Sequence, residues 1–118
     1  MPEKVYRTAI YCRLSREDGD KQESNSIASQ RAICESYIAK HDDLELACPP
    51  FVDDGYSGVN FDRPSFREME KLLKNGGIDC VGCKDLSRFA RNYIDGGRYL
   101  EKIFPQLGIR FIAVNDAY

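Results

Sequence analysis

Arg13 and Ser15 stand two residues apart in Tyr11-Cys12-Arg13-Leu14-Ser15. In an extended chain that spacing points both side chains the same way. A cation and a hydroxyl then share one side of a strand end, where they can bind and attack an anionic ester. A second basic group lies in Lys84-Asp85-Leu86-Ser87-Arg88-Phe89-Ala90-Arg91-Asn92. On a helical turn, Arg88 and Arg91 share a face, with Phe89 and Ala90 toward the core between them. Two arginines near a helix N-terminus oppose the helix dipole, and a bound phosphate would remove that conflict. Arg63 stands just before Pro64, and Gln30 lies early in a separate helical segment. Arg13, Arg63, Arg88 and Arg91 are therefore expected to converge beside Ser15. Like charges held close together repel, which predicts a cluster poorly ordered until an anion joins it.

Other chemistries find less support. The only histidine, His41, sits in Lys40-His41-Asp42-Asp43, the polar end of a helix. That argues against a Ser-His-Asp triad and excludes a metal site built mainly on imidazole. Five cysteines include a lone Cys80-x-x-Cys83 without a second pair. On a strand, residues three apart face opposite ways, so these read as small buried apolar side chains rather than metal ligands. No metal and no cofactor is expected. A net charge of -2 counts against a surface that grips nucleic acid by bulk electrostatics. It leaves room for a few arginines meeting one phosphate.

The elements that must position these residues follow from periodicity. Val5–Tyr11 reads as a strand and Arg16–Asn25 as an exposed polar loop. Ser24 or Ser26 caps a helix reaching about His41, with Ile27, Ala28, Ile33, Cys34, Tyr37 and Ile38 at helical spacing. Leu44–Val52 is strand-like but broken at Pro49-Pro50, as expected of an edge. Pro64 opens a second helix, with Phe66, Met69, Leu72 and Leu73 inward, which stops at Asn75-Gly76-Gly77. Ile78–Cys83 is a short strand. Tyr93–Leu107 is helical, with Ile94, Tyr99 or Leu100, Ile103 and Leu107 inward, and Ile109–Val114 is the last strand. This alternation predicts an α/β fold: a mainly parallel sheet with helices on both faces. Functional groups of such sheets collect at the carboxyl ends of the strands, where Ser15, Arg63 and Arg88 fall. The 118 residues fit one domain, and the chain is expected to be a piece of a longer protein. No apolar run approaches the ~20 residues of a membrane span. The start lacks a secretory apolar region, so a cytoplasmic location without membrane attachment is expected.

At this point the sequence resembles a known family. Tyr11-Cys12-Arg13-Leu14-Ser15 is similar to the Tyr-x-Arg-x-Ser motif of the resolvase/invertase serine recombinases. Ser26-Ile27-Ala28-Ser29-Gln30, Asp53-Asp54-Gly55-Tyr56-Ser57-Gly58 with Asp62-Arg63-Pro64, and Leu86-Ser87-Arg88-Phe89-Ala90-Arg91 resemble its later blocks, in family order. Ile109-Arg110-Phe111-Ile112 resembles its last core strand. The wording is most similar to the large serine recombinases of mobile elements.

The resemblance implies a resolvase-like catalytic domain over residues 1–118, with the dimerisation helix and DNA-binding domains outside it. It implies site-specific recombination of double-stranded DNA, for integration, excision or transposition, through a 5′-phosphoserine at Ser15. It also implies self-association to dimers and tetramers in the full-length protein. Tyr11 enters the candidate site through its motif, Gln30 as a positioning group, and Arg13, Arg63, Arg88 and Arg91 as charge stabilisers. Many small resolvases carry aspartate where this chain has Ser87. The proton donor to the leaving oxygen is thus open among Ser87, the nearby Asp85, Arg88 and water. Two alternatives stand beside this reading. One is a small α/β phosphoesterase using Ser15, although the Cys12–Ser15 turn lacks the glycines of a phosphate-binding loop. The other is a non-catalytic assembly domain.

Overall fold

The strand that carries Arg13 is the centre of the sheet. In a computed structural model, which describes residues 3–15, 26–91 and 93–118, β1 spans Tyr6–Leu14 and is buried from Thr8 to Arg13. The predicted loop Arg16–Asn25 lies outside the described residues. β1 runs three residues past the predicted end because a second strand pairs with those residues. The predicted segment Leu44–Val52 resolves into β2 (Leu44–Leu46) and β3 (Phe51–Asp54). β2 pairs with Tyr6–Thr8 and β3 with Tyr11–Leu14, end to end along one side of β1. Pro49-Pro50 falls in the gap, where missing N–H donors cost no ladder bond.

On the other side of β1 lies β4 (Cys80–Cys83), followed by β5 (Arg110–Ala113). Every pairing is parallel. Side chains alternate between two cores. Ile10, Cys12, Cys80 and Ile112 face helix α1 (Ile27–Ala39), which contributes Cys34 and Ile38. Ala9, Tyr11, Val81, Cys83 and Ala113 face the opposite layer. There, α2 (Pro64–Lys74) buries Phe66, Met69 and Leu73, and Phe89, Tyr99 and Phe104 complete an aromatic core. The expected fold class, a parallel α/β sheet covered on both faces, is the observed one. Ser26 is the N-cap of α1, its side chain accepting from the Ser29 N–H.

Two helical expectations change. The turn carrying Arg88 is only a four-residue helix, α3 (Leu86–Phe89), and Ala90 is extended at φ -158°. The chain re-enters helix as α4 (Tyr93–Arg98), continues as a π-helical turn over Tyr99–Ile103, and ends as α5 (Phe104–Leu107). Ile94 and Leu107, predicted inward, are 80% and 43% exposed. Tyr99, one of the two alternatives expected inward, and Phe104, not expected there, take the core positions. They are five residues apart, and the Phe104 N–H donates to the Tyr99 carbonyl, so the wide turn brings both rings to one face. Pro105 is compatible with it, having no N–H to bond four residues back. Gly108, at φ 72°, ends the helix in the left-handed region.

Cys80 and Cys83 sit in opposite cores, as the strand period requires, and both are free thiols. Burial pushes Cys12 and Cys34 up to about 12 and Cys80 to about 11, and raises Cys83 well above its ordinary value. Only Cys48 is half-buried. Disulfide-exchange reagents at pH 8 are expected to label Cys48 quickly and the other four only on unfolding. Rapid labelling of more than one thiol in the native chain would contradict this packing. The unfolded thiol ionises near 9.0 and the buried ones do so later. The stability they contribute is therefore complete below pH 9 and falls as pH rises toward 12.

Among the described residues, no helix is long and apolar enough to cross a membrane, and no group of three or more His, Cys, Asp or Glu side chains can hold a metal.

Candidate active site

Ser15 follows the last residue of β1 and is buried. The register that places Leu14 beside Asp54 brings Arg13 beside Asp53. Gln30, in the first turn of α1, is fully buried and is spent on Arg13. Its Oε1 accepts from the Arg13 N–H at 3.1 Å, and its Nε2 donates to the Arg13 carbonyl at 3.0 Å. β4 pairs with β1 only over Thr8–Ile10. The Gln30 amide thus stands in for a missing strand neighbour and satisfies backbone groups that burial would otherwise orphan.

The Arg13 guanidinium, 0% exposed, reaches into the loops. Nε donates to the Arg88 carbonyl at 3.1 Å, Nη1 to Tyr56 at 3.0 Å and Nη2 to Ser87 at 2.6 Å. Arg88, also buried, returns the contact: its Nη1 donates to the Arg13 carbonyl at 3.1 Å. Its Nε and Nη2 approach Ser87 Oγ at 3.3 and 3.2 Å. Ser87 Oγ donates to Asp85 Oδ1 at 2.5 Å, and the same oxygen caps α3 by accepting from the Arg88 N–H at 3.2 Å. Arg13, Gln30, Ser87, Arg88 and Asp85 therefore form one connected cluster at the carboxyl ends of β1 and β4. The helix-dipole conflict inferred from sequence does not arise, because the Asp85 carboxylate already faces the N-terminus of that single turn.

Arg63 belongs to a different neighbourhood. It is 0% exposed and lies 4.5 Å from the Phe61 ring centre and 5.8 Å from those of Tyr11 and Phe66. It donates to the carbonyls of Asn60 at 2.9 Å and Phe89 at 2.6 Å. At 3.4 Å it also approaches the Gly58 carbonyl and the Tyr11 hydroxyl. Tyr11 donates to Asp53 Oδ2 at 2.8 Å, and burial holds its hydroxyl well above the ordinary tyrosine range, against the lowering effect of Arg63. Arg91 is exposed and is tied to the same loop through its backbone, its N–H donating to the Gly58 carbonyl at 2.7 Å.

The four arginines expected to converge beside Ser15 differ in exposure. Three are buried and only Arg91 is exposed. Arg88 and Arg91 do not share a helical face, because the helix breaks at Ala90. Carbonyl oxygens meet the guanidiniums of Arg13 and Arg63 and offset their repulsion.

The sequence reading missed Asp53. Helix α2 begins at an N-cap, Arg63, that makes no side-chain cap bond. Asp53, from β3, supplies it: Oδ1 accepts from the Ser65 N–H and Oδ2 from the Phe66 N–H, each at 2.9 Å. The signal was there, since a helix opening with Arg-Pro leaves N–H groups that need an acceptor from elsewhere.

The family profile described as Resolvase, N terminal domain, matches residues 8–118. Among solved structures, the N-terminal catalytic domain of TP901-1 integrase superposes with a TM-score of 0.80 at 25% identity, over 94% of this chain and 78% of that one. The C-terminal catalytic domain of ISC1926 TnpA, an IS607-like serine recombinase, gives 0.72 at 22% identity, over 92% and 67% of the two chains. A serine recombinase from Sulfolobus solfataricus gives 0.66 at 20% identity, over 93% and 69%. No curated protein matches significantly.

Proposed function

Because this chain belongs to the resolvase family, as its N-terminal domain, we propose that it cleaves and rejoins double-stranded DNA in site-specific recombination, with Ser15 as nucleophile. The observation that carries this reading is the interlocked Arg13–Gln30–Arg88 cluster at the carboxyl end of β1, two residues before Ser15. Ser15 Oγ attacks phosphorus and forms the P–O bond of a 5′-phosphoserine, while the bond to the 3′ oxygen breaks. The serine proton leaves to solvent and the 3′ oxygen takes one up, so the step is balanced without cofactor or nucleotide. Rejoining reverses it, because the ester retains the energy of the broken bond.

Arg91, exposed at the rim, makes the first contact with the phosphate. Arg88 and Arg13 follow by exchanging carbonyl partners for non-bridging oxygens, since an anion is the stronger acceptor. They stabilise charge that grows in the transition state. Gln30 acts through the Arg13 backbone, and Tyr11 and Arg63 act as buried support. Asp85 is engaged as a cap, so the leaving oxygen takes its proton from water near Ser87 and Arg88. Net charge -2 leaves most DNA affinity to parts outside residues 1–118, along with assembly into dimers and tetramers.

The test is to trap the full-length protein on a nicked target site in the presence of EDTA and to analyse its peptides by mass spectrometry. A nucleotide adduct on Ser15 is expected. An adduct on another residue, or cleavage that EDTA stops and magnesium restores, refutes the mechanism.

A further inference from the structure

Three of the site's arginines are seated on one short loop. Tyr56 offers its carbonyl to Arg13, Asn60 offers its own to Arg63, and Gly58 accepts from the Arg91 N–H. The loop is braced by local bonds, from the Val59 N–H to Ser57 Oγ and from the Asp62 N–H to Asn60 Oδ1. Gly58 is at its middle. The glycines with left-handed backbones are Gly55, Gly76 and Gly108, so backbone conformation is not what requires a glycine at 58. Space is. A Cβ built there would lie 2.7 Å from Arg13 Nη2, 2.9 Å from Arg13 Cζ and 3.0 Å from Arg91 Cγ.

Contacts under 3.0 Å force something to move. Arg13 cannot withdraw freely, because its three nitrogens are held by three carbonyls, the shortest bond being 2.6 Å to Ser87. Arg91 is exposed and can shift from its place against the loop. We infer that Gly58 is a positioning residue for DNA cleavage: the space left by its missing side chain lets the Arg13 guanidinium and the Arg91 stem lie against one loop, close enough to serve one phosphate. This rests on the reading that these arginines stabilise the scissile phosphate. Gly58 touches no substrate in it and acts only through Arg13 and Arg91.

The experiment compares Gly58→Ala with Gly97→Ala, a control whose added methyl meets nothing within 4 Å. In the full-length protein on its target site, single-turnover cleavage is followed as rate constant and amplitude separately, beside gel-shift affinity. Gly58→Ala is expected to lower the rate constant about 10- to 100-fold, the scale of an ångström misplacement, with full amplitude and unchanged affinity. Gly97→Ala is expected to match the wild type. A wild-type rate constant in Gly58→Ala, or a reduced amplitude at an unchanged rate constant, overturns the inference, the latter by showing a folding defect alone.

A double-mutant cycle covers the case in which Gly58→Ala fails to fold. Arg13→Ala removes the two atoms that the new methyl would meet under 3.0 Å, so Arg13→Ala/Gly58→Ala is expected to melt with Arg13→Ala alone. A double variant that is less stable than Arg13→Ala alone overturns the inference. Ser15→Ala in parallel separates the two readings. If it still cleaves, the nucleophile assignment fails; if it is inactive while Gly58→Ala is unimpaired, only the role of Gly58 fails.

Discussion

Ser15→Ala is expected to lower DNA cleavage on the order of 10⁴-fold or more, the scale seen when a covalent enzyme loses its nucleophile, and to leave target-site binding unchanged. The size follows from the absence of a substitute among the described residues. On β1, Thr8 lies buried toward the amino end and approaches the Tyr6 carbonyl, and the Tyr11 hydroxyl donates to Asp53. Ser87 Oγ is engaged by Asp85 and Arg88. Unchanged binding follows from the division of labour proposed for an acidic domain. The fold should be untouched, because alanine suits a strand end and removes one oxygen. Cleavage and gel shift on the same preparation check both halves. Cleavage near the wild-type rate removes Ser15 from the mechanism, and loss of binding would mean that this domain carries recognition as well as chemistry.

Asp53→Ala should instead act on stability, lowering it by about 3–5 kcal/mol, the scale for breaking a buried charged network. Asp53 is 2% exposed and accepts from the Ser65 and Phe66 N–H groups and the Tyr11 hydroxyl. Alanine would orphan two N–H groups of α2 and one buried hydroxyl, and Arg63 would lose the carboxylate it senses through Tyr11. Domains of this kind hold only about 5–15 kcal/mol in total, so the melting temperature should fall by on the order of 15 °C. Tyr11→Phe removes only the hydroxyl and should cost about 1–3 kcal/mol. Chemical denaturation of the three proteins checks the order. An Asp53→Ala chain as stable as the wild type would show that these bonds are dispensable.

Ser15 and Asp53 are both buried, yet their substitutions are expected to act differently. Ser15 and Asp53 both stand at strand ends in polar motifs, and their sequence contexts look equally functional. Only the partners distinguish them: Asp53 caps a helix and anchors a tyrosine. Arg63 shows the same. Beside Pro64, before a helix, it reads as a loop arginine free to meet a ligand. In the fold it lies among Phe61, Tyr11 and Phe66 rings, where a guanidinium is held by aromatic faces and carbonyls.

By itself the sequence determined the α/β alternation, a serine cap at Ser24 or Ser26, the break at Pro49-Pro50, the opposite facing of Cys80 and Cys83, and the family. These are local properties: periodicity, capping chemistry and proline's missing donor act within a few residues. The tertiary structure alone decided what each arginine does. That Arg13 is locked by Gln30, Ser87 and Tyr56, that Arg88 and Arg91 part at Ala90, and that Tyr99 and Phe104 align through a π turn depend on which segments meet across the sheet. A guanidinium's role is set by the acceptors within about 3 Å of it, and those come from residues far away in sequence.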